Sequence, residues 1–332
     1  MERIRVCQIG LGAIGLACAA EARRRPGLEL LGGVDIDPGL EGKDLGLLAE
    51  GTRWSLPVRR DLESALREWR PRAALLTTVS QVERLAPVLE TLIRAGVNVV
   101  SSSEELLVPR HRAPEASAAL DALARSAGVT VMAAGVNPGF TMDLFPLFLS
   151  SMSRRVEKVE VRRCLDAAAR RESLQRKVGA GLSLDAFHAG QREGWIGHKG
   201  LMESLVLICE GLGWRPDRSE ETMEPMIASR GLRTDFLEVA PGQVAGVHHT
   251  ARAWRGERLL VELDLKMYVG AESSYDNVRI LGEPPLDVTV QGGIAGDAAT
   301  VAGLLNAVPL AVSASPGLLS PLASPLPRGF GA

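Results

Sequence analysis

Short apolar runs alternate with helical patterns along residues 1–135 of the chain. The runs are rich in Val, Ile and Leu, as expected of parallel strands that helices bury on both faces. The predicted strands lie in the segments IRVCQIGLG, LELLGGVDID, AALLTTV, VNVVSSS and VTVMAAGVNPG. The predicted helices lie in AIGLACAAEARRR, in PEASAALDALARSAG and in residues 62–69 and 82–95. This alternation predicts a doubly wound α/β domain built on a parallel sheet.

Beyond Phe140 the pattern changes to strict alternation of apolar and polar positions. The segments VEKVEVRRCL and RLLVELDLKMYVG alternate in this way, which is typical of half-exposed strands in an antiparallel sheet. A turn at residues 255–257 joins the second segment to VAGVHHTARAW and predicts a hairpin. One face of the later strand is formed by Val261, Leu263, Leu265, Met267 and Val269. Helical patterns at residues 184–191 and 198–212 complete a predicted α+β domain with a mainly antiparallel sheet.

These patterns divide the chain into an α/β domain over residues 1–138, an α+β domain over 139–295 and a C-terminal segment over 296–332. The last segment contains GDAATVAGLLNAVPLAV, which predicts a helix, and this helix and the tail after it are expected to pack back on the first domain. The tail, SPGLLSPLASPLPRGFGA, is rich in proline and glycine and is expected to run extended over the surface.

The bulk composition excludes several classes of protein. Of the 332 residues, 46% are hydrophobic, and the net charge of −2 lacks the basic excess of a nucleic-acid-binding protein. The cysteines (Cys7, Cys18, Cys164 and Cys209) are scattered, so we expect neither a disulfide framework nor a metal site. Reduced thiols and the absence of a secretory signal favour a cytoplasmic location. No apolar run approaches the ~18 residues of a membrane span, so no membrane partner is expected.

Residues 10–15 read GLGAIG, a GxGxxG pattern that follows a predicted strand and opens a predicted helix. In this context the first glycine permits a tight turn, the second lets the backbone approach a pyrophosphate, and the third lets helix and strand pack closely. Free amides at the helix N-terminus favour phosphate binding. An acidic residue at the end of the next strand can accept hydrogen bonds from the ribose hydroxyls. The pattern predicts a Rossmann-type dinucleotide site formed by Gly10, Gly12, Ala13, Ile14, Gly15 and Asp35. The alternative is a tight turn without a ligand.

The acids Asp35 and Asp37 mildly favour NAD over NADP, because a 2′-phosphate would face two carboxylates. The preference is mild because a basic side chain can fold over this pocket, with candidates at Lys43, Arg53, Arg59 and Arg60. Further hydroxyls follow the third predicted strand at the carboxyl edge of the sheet, where ligands bind in doubly wound folds. These residues, Thr77, Thr78 and Ser80, are expected either to contact the nicotinamide ribose or to cap a helix.

Two carboxylates, Glu104 and Glu105, follow the strand VNVVSSS at the same edge of the sheet. The serines before them create S-x-x-E spacings, which are typical of a capping box at a helix start. The functional alternative is a carboxylate near the nicotinamide that binds a cationic amine or takes a proton from it.

Residues 137–140 read NPGF where the first domain ends, and this loop is expected to line the cleft that holds substrate. Asn137 either orients substrate or forms an Asx-type turn before Pro138. His198 stands at a predicted helix start, where it either caps the helix or faces substrate. His248 and His249 occupy neighbouring positions of an alternating strand, so their side chains diverge and make a poor shared ligand set.

Several long segments identify a family resemblance: QIGLGAIG, GVDIDPGLEGKDLG, VVSSSEEL, GVNPGF, RRESLQRKVGAGLS, GWIGHKGLMES, EGLGWRPD, ETMEPMIA and GGIAGDAATVAGLLNAVP. With them the chain resembles the 2,4-diaminopentanoate dehydrogenases and the related native amine dehydrogenases. Both belong to a broader group with a dihydrodipicolinate-reductase-like N-terminal domain. The resemblance runs nearly end to end.

The resemblance implies reversible, NAD(P)-dependent oxidative deamination of a small amine to a ketone and ammonia. It also implies that a glutamate near the nicotinamide holds the ammonium or iminium nitrogen, and by motif position this role falls on Glu104 or Glu105. A fixed carboxylate in a dry cleft would stabilise the developing positive charge. The expected substrate contacts are Asn137, Pro138, Phe140 and His198.

Two neighbouring families fit less well. Dihydrodipicolinate reductases carry a His-His-Arg-x-Lys-like segment near the start of the second domain, whereas RRCLDAAARRE here has no histidine. Glucose–fructose oxidoreductase-type enzymes place Glu-Lys-Pro where this chain has Ser-Glu-Glu-Leu. The competing functions are reduction of another C=N or C=O substrate and dinucleotide sensing without turnover. A homodimer that pairs through the second domain's sheet is the expected assembly.

Overall fold

The computed structural model describes residues 3–325. The chain divides into two compact units, one formed by Met1–Gly139 with Ala295–Ala332 and the other by Phe140–Ile294. The boundaries expected from the sequence, after residues 138 and 295, each lie one residue from this division.

The described residues contain helices, strands and four short 3-10 helices, at Pro38–Leu40, Glu105–Leu107, Ala167–Ala169 and Pro321–Ala323. The strands are β1 (Ile4–Ile9), β2 (Leu28–Val34), β3 (Val58–Arg59), β4 (Ala73–Leu76), β5 (Asn98–Ser101), β6 (Thr130–Ala133), β7 (Arg155–Asp166), β8 (Arg218–Ile227), β9 (Leu232–Arg233), β10 (Glu238–Val239), β11 (Val244–Arg255), β12 (Arg258–Tyr268), β13 (Tyr275–Glu283), β14 (Leu286–Gln291) and β15 (Gly317–Leu319). The helices are α1 (Ala13–Arg24), α2 (Leu45–Glu50), α3 (Leu62–Trp69), α4 (Val82–Arg94), α5 (Pro109–Arg112), α6 (Pro114–Ala127), α7 (Leu144–Ser150), α8 (Glu172–Lys177), α9 (Leu184–Glu193), α10 (Leu201–Gly211) and α11 (Gly296–Ser313).

The first unit is built on a seven-stranded parallel sheet in the order β15-β6-β5-β4-β1-β2-β3. The central strands are covered on both faces, and every residue of β4 is fully buried. The prediction of a doubly wound α/β domain is therefore confirmed. The strand order reverses between β1 and β4, and the crevice at such a switch point is where ligands bind in these folds.

The tail contributes more to this sheet than the sequence indicated. Residues 317–319 form β15, an edge strand that pairs in parallel with β6. Gly317 is buried at φ +132°, and a Cβ there would lie 2.7 Å from Asp121 Oδ1. The rest of the predicted tail, residues 326–332, lies outside the described residues.

Helix α11 belongs to the first unit and packs on α1, β4, β5 and β6. Its residues Val301, Leu304, Leu305 and Val308 are buried in that unit's hydrophobic core. By length and composition alone α11 is long and apolar enough to cross a membrane, although it contains no uninterrupted apolar run of that length. The core helix of a protein without a membrane span passes the same test, and six residues of this helix lie in the core of the first unit.

The second unit contains a six-stranded sheet in the order β14-β13-β7-β12-β11-β8. Its pairs are antiparallel except β7–β12, which is parallel. The predicted hairpin is confirmed, because Arg255 pairs with Arg258 across a two-residue turn. The apolar face predicted for β12 is buried, and α10 packs over β11 and β12. Helix α10 begins at Leu201 rather than at residue 198, because Gly200 before it adopts a left-handed conformation at φ +100°.

The opposite face of this sheet carries charged side chains that pair across strands. Lys158 Nζ contacts Glu160 at 2.7 Å and Glu262 at 3.3 Å, and Arg252 Nε donates to Glu262 at 2.8 Å. Burial opposes the ionisation of Glu262, but the Arg252 hydrogen bond and the Lys158 charge lower its pKa overall. This face is therefore a network of ion pairs rather than an apolar surface.

One ion pair lies entirely inside the second unit. Arg163 on β7 and Asp276 on β13 contact each other, and the side chain of each is 1% exposed. Arg163 Nη2 also donates to the carbonyl of Ile294 at 2.7 Å, and the Ile294 amide donates to Asp276 Oδ2 at 2.7 Å. Burial lowers the pKa of Arg163, and the charge of Asp276 opposes that shift. The pair fixes the end of the second unit to the centre of its sheet.

We expect Asp276→Asn to lower the free energy of unfolding by about 3–5 kcal/mol, because it leaves the Arg163 guanidinium buried without a counter-charge. Asp287→Asn is the matched control, since the Asp287 side chain is 62% exposed and lies 4.0 Å from Arg279, and a loss below ~1 kcal/mol is expected. Urea unfolding curves measure both. A loss below ~1 kcal/mol for Asp276→Asn would show that the buried pair is not needed for stability.

Candidate functional site

The turn between β1 and α1 is closed by two glycines that touch. Gly10 has φ +84°, and a Cβ at Gly15 would lie 1.9 Å from the Gly10 carbonyl oxygen. Helix α1 can therefore pack against the turn only where residue 15 has no side chain. A Cβ at Gly12, in contrast, would meet no atom within 4 Å. Open space at Gly12 is what a phosphate approaching the backbone requires.

The first turn of α1 provides the donors for such a phosphate. Gly12 is the N-cap and offers no side-chain hydrogen bond, and the helix has no acidic residue in its first turn. The first backbone bond of the helix runs from the Leu16 amide to the Gly12 carbonyl. The amides of Ala13 and Ile14 precede that bond and have no partner within the helix. The residues of the turn therefore fit a dinucleotide pyrophosphate.

Asp35 follows β2 and is fixed to the glycine turn. Its Oδ2 accepts a hydrogen bond from the Leu11 amide at 2.7 Å, and its Oδ1 accepts one from the Asp37 amide at 3.0 Å. Each carboxylate oxygen keeps a second lone pair, so both remain able to accept from ribose hydroxyls. Ile36 beside it is 85% exposed, which leaves an apolar surface next to the acceptor.

A buried amide, which the sequence analysis missed, supports the turn from below. Gln8 is fully buried, and its Nε2 donates to the Gly10 carbonyl at 3.1 Å and to Thr77 Oγ1 at 2.8 Å. Thr77 Oγ1 in turn donates to the same Gly10 carbonyl at 3.1 Å. The sequence signal was present, because a glutamine within the apolar run VCQIG must find hydrogen-bond partners when it is buried.

The predicted hydroxyl residues therefore have different roles. Thr77 holds the glycine turn in place through its hydrogen bond to the Gly10 carbonyl. None of the three hydroxyls caps α4, whose N-cap residue is Gln81 and makes no side-chain hydrogen bond. Thr78 is exposed at the carboxyl end of β4. The carbonyl of Ser80 accepts from Ser103 Oγ at 2.7 Å and from the Glu105 amide at 3.3 Å. Helix capping, one of the alternatives for these hydroxyls, does not occur.

The two adjacent glutamates are in different environments. Glu105 Oε2 accepts a hydrogen bond from the Val82 amide at 3.0 Å and so caps the start of α4. Glu104 precedes the 3-10 helix at Glu105–Leu107 and its side chain makes no cap there. Within residues 3–325 the half-buried Glu104 carboxylate has no hydrogen-bond or ion-pair partner. The capping alternative thus applies to Glu105, although the helix it caps is not the one that the S-x-x-E spacing indicated.

The remaining predicted residues fall into both units. Asn137 and Pro138 lie after β6 in the first unit, and a cis peptide bond joins them. Phe140 begins the second unit, is 39% exposed and stacks on Phe145 with ring centroids 5.7 Å apart. His198 precedes α10 and lies edge-on to His249 at 5.9 Å. His198 does not cap that helix, because Gly200 occupies the N-cap.

The structure places the glycine turn, Asp35, Thr77, Thr78, Ser80, Glu104, Glu105, Asn137 and Pro138 at the carboxyl ends of the parallel strands of the first unit. It places Phe140 and His198 in the second unit. The residues predicted for the cofactor and the carboxylate predicted for catalysis therefore share one sheet edge.

The adjacent histidines of β11 diverge, as the alternating strand predicted. His248 contacts Asp264 at 3.1 Å on one face of the second sheet, and His249 contacts Glu221 at 3.0 Å on the other. Across residues 3–325 no group of three or more His, Cys, Asp or Glu side chains is arranged to hold a metal ion. The four cysteines are free and buried, and burial raises the pKa of the Cys7 and Cys18 thiols to about 12. These two thiols are therefore poor nucleophiles at neutral pH.

Comparisons with known proteins agree with this geometry. Curated relatives include a 2,4-diaminopentanoate dehydrogenase of Acetoanaerobium sticklandii, 27% identical over 99% of this chain and 96% of that protein. They also include an amine dehydrogenase of Streptomyces virginiae, 24% identical over 97% of this chain and 96% of that protein. The solved structure of an amine dehydrogenase from Mycobacterium smegmatis has a similar fold, with a TM-score of 0.86, 24% identity and coverage of 98% of this chain and 97% of that one.

The family model for the 2,4-diaminopentanoate dehydrogenase C-terminal domain matches residues 140–331, which is more than half of the chain. This match covers the whole second unit together with α11, and the glycine turn and Asp35 lie in the part of the chain before it. The chain therefore belongs to the 2,4-diaminopentanoate dehydrogenase family.

Proposed function

We propose that the protein is an NAD(P)-dependent amine dehydrogenase that converts a small amine, similar to 2,4-diaminopentanoate, reversibly to a ketone and ammonia. The observation that carries the proposal is the half-buried carboxylate of Glu104, which has no partner within residues 3–325. It lies at the sheet edge that also carries the glycine turn and Asp35. The family and the names of the relatives agree with this chemistry.

A bound nicotinamide would supply the chemistry of hydride transfer with the amine-bearing carbon of the substrate. The chain's own contribution begins with binding, because the amides that open α1 would hold the pyrophosphate and Asp35 would accept hydrogen bonds from the ribose hydroxyls. Glu104 then binds the substrate ammonium group, and after that group has released one proton to solvent the carboxylate stabilises the positive charge that develops on the neutral amine nitrogen as the hydride leaves. Water adds to the resulting iminium carbon, and collapse of that adduct releases the ketone and ammonium. We propose Asn137, Pro138, Phe140 and His198 as substrate contacts.

Turnover with amines tests the proposal directly. We expect the protein to reduce NAD⁺ or NADP⁺ when it is given small amines, with 2,4-diaminopentanoate in the panel, and to oxidise NADH or NADPH with the matching ketone and ammonia. Absorbance of the reduced nicotinamide follows both directions. Absence of turnover with every amine, together with reduction of a C=N or C=O compound without ammonia, would favour a reductase instead.

The adjacent glutamates provide a matched pair of variants. We expect Glu104→Gln to lower kcat/KM by at least ~10², because the neutral amide cannot stabilise the cationic substrate nitrogen. Glu105→Gln is expected to stay within about tenfold of the parent enzyme, because an amide oxygen can still accept from the Val82 amide. Calorimetric titration with NADH confirms that both variants keep the cofactor site. If both variants retain full activity, neither carboxylate stabilises charge in the reaction.

We also propose a cytoplasmic homodimer. The location is supported by the four free, buried thiols. The assembly is supported by the ion-paired face of the second sheet, because a surface that carries both signs of charge can be complementary to a second copy of itself.

Light scattering after size exclusion is expected to give twice the mass of one chain. Arg162→Glu, at a 54% exposed side chain that contacts Glu160 on this face, should shift the population towards the monomer because it reverses one charge of the network. Arg67→Glu on α3, at a 70% exposed side chain of the other unit, is the matched control and should remain dimeric. A parent protein that is monomeric at every concentration would contradict the proposal.

A further inference from the structure

Arg60 lies beside the end of β2, next to the residue that receives the adenosine ribose. Strand β3 pairs in parallel with β2, so that Val34 aligns with Arg59, and the Asp35 amide donates to the Arg59 carbonyl at 3.1 Å. The residues that follow the two strands are therefore neighbours. Arg60 Nε donates to the carbonyl of Ile36 at 3.2 Å, which holds the guanidinium next to Asp35.

The terminal nitrogens of Arg60 are available to a ligand. Within residues 3–325 neither Nη atom of the exposed Arg60 has a hydrogen-bond or ion-pair partner. Arg59, one residue earlier, differs in this respect, because its Nη2 contacts both carboxylate oxygens of Glu68 at 3.2 and 3.3 Å. Two adjacent arginines thus have different roles, one paired with a glutamate and one held at the ribose position by its Nε alone.

The charges around Arg60 set what it can bind. Each carboxylate oxygen of Asp35 accepts one hydrogen bond, from the Leu11 amide and the Asp37 amide respectively. Asp37 Oδ1 accepts a hydrogen bond from the Gly39 amide at 2.8 Å. Glu41 Oε2 accepts from the Arg60 amide at 2.5 Å. These three carboxylates disfavour a second anion at the ribose. A phosphate placed there needs a planar donor pair to offset them, and a guanidinium offers two parallel N–H groups of the right geometry.

We propose that Arg60 is the cofactor-specificity residue of this protein, which binds the 2′-phosphate of NADP(H) through its free Nη atoms. Asp35 remains the acceptor for the ribose hydroxyls of NAD(H), so the chain accepts both dinucleotides. The proposal rests on the proposed function only in taking the ligand to be a nicotinamide dinucleotide. It concerns the difference between two cofactors and is independent of which amine is oxidised.

Calorimetric titration of the full chain with NADPH and with NADH, in the absence of any amine, tests the proposal. Arg60→Ala is expected to weaken NADPH binding by at least ~10-fold, as for loss of a charged hydrogen-bond pair, and to change NADH binding by less than ~2-fold. Arg60→Lys, which keeps the charge and loses the planar donor pair, is expected to give an intermediate loss for NADPH. The variants should weaken binding of adenosine 2′,5′-bisphosphate more than binding of adenosine 5′-monophosphate, which reproduces the difference without the nicotinamide.

Arg59→Ala is the matched control, because it removes the same charge one residue away from a guanidinium that is already paired. It should alter the ratio of the NADPH and NADH dissociation constants by less than ~2-fold. An equal loss of both cofactors in Arg60→Ala would overturn the proposal and indicate that the guanidinium stacks on the adenine ring. An Arg59→Ala ratio that matches Arg60→Ala would overturn it in favour of a general field effect. If no amine is turned over, the ratio of the NADPH and NADH dissociation constants is unaffected, so the two proposals fail separately.

Discussion

The close approach of Gly15 to the Gly10 carbonyl is the constraint on which the site depends. A Cβ at position 15 would lie 1.9 Å from that oxygen, so the distance between α1 and the end of β1 is set by the absence of a side chain. The side chains of Gln8 and Thr77 donate hydrogen bonds to the same carbonyl, and the Asp35 carboxylate accepts a hydrogen bond from the Leu11 amide. Because these bonds exist before any ligand arrives, binding does not have to order the turn, and less affinity is lost to conformational entropy.

A similar division of roles separates the adjacent glutamates. The carboxylate of Glu105 is engaged by the Val82 amide, which attaches the segment after β5 to the start of α4. That attachment fixes the backbone of the 3-10 helix and with it the position of Glu104, whose side chain takes no part in capping. One carboxylate therefore secures the chain while its neighbour stays chemically available. The same contrast holds for Arg59 and Arg60, of which only the first is paired with a glutamate.

The sequence was sufficient wherever a local pattern determines the structure. Five strands of the first sheet, the glycine turn and the β11–β12 hairpin each follow from spacing within a short window. Long-range pairings were not accessible in this way, including the parallel β7–β12 pair and the addition of β15 to the first sheet. Neither could spacing distinguish Glu104 from Glu105, because the difference depends on a hydrogen bond to Val82 on another element.

The choice between NAD and NADP shows why motif and structure carry different information. The acidic residue at the end of β2 belongs to one strand only. Taken alone it favours NAD, because its carboxylate would repel the 2′-phosphate of NADP. Strand β3 is too short for a hydrophobic pattern to predict it. Its two residues nevertheless bring Arg60 to the Ile36 carbonyl. An anion at the ribose therefore meets a fixed acceptor from one strand and a tethered cation from the next. Cofactor preference in this chain depends on the balance between two neighbouring strand ends, and a motif confined to the first of them describes only half of that balance.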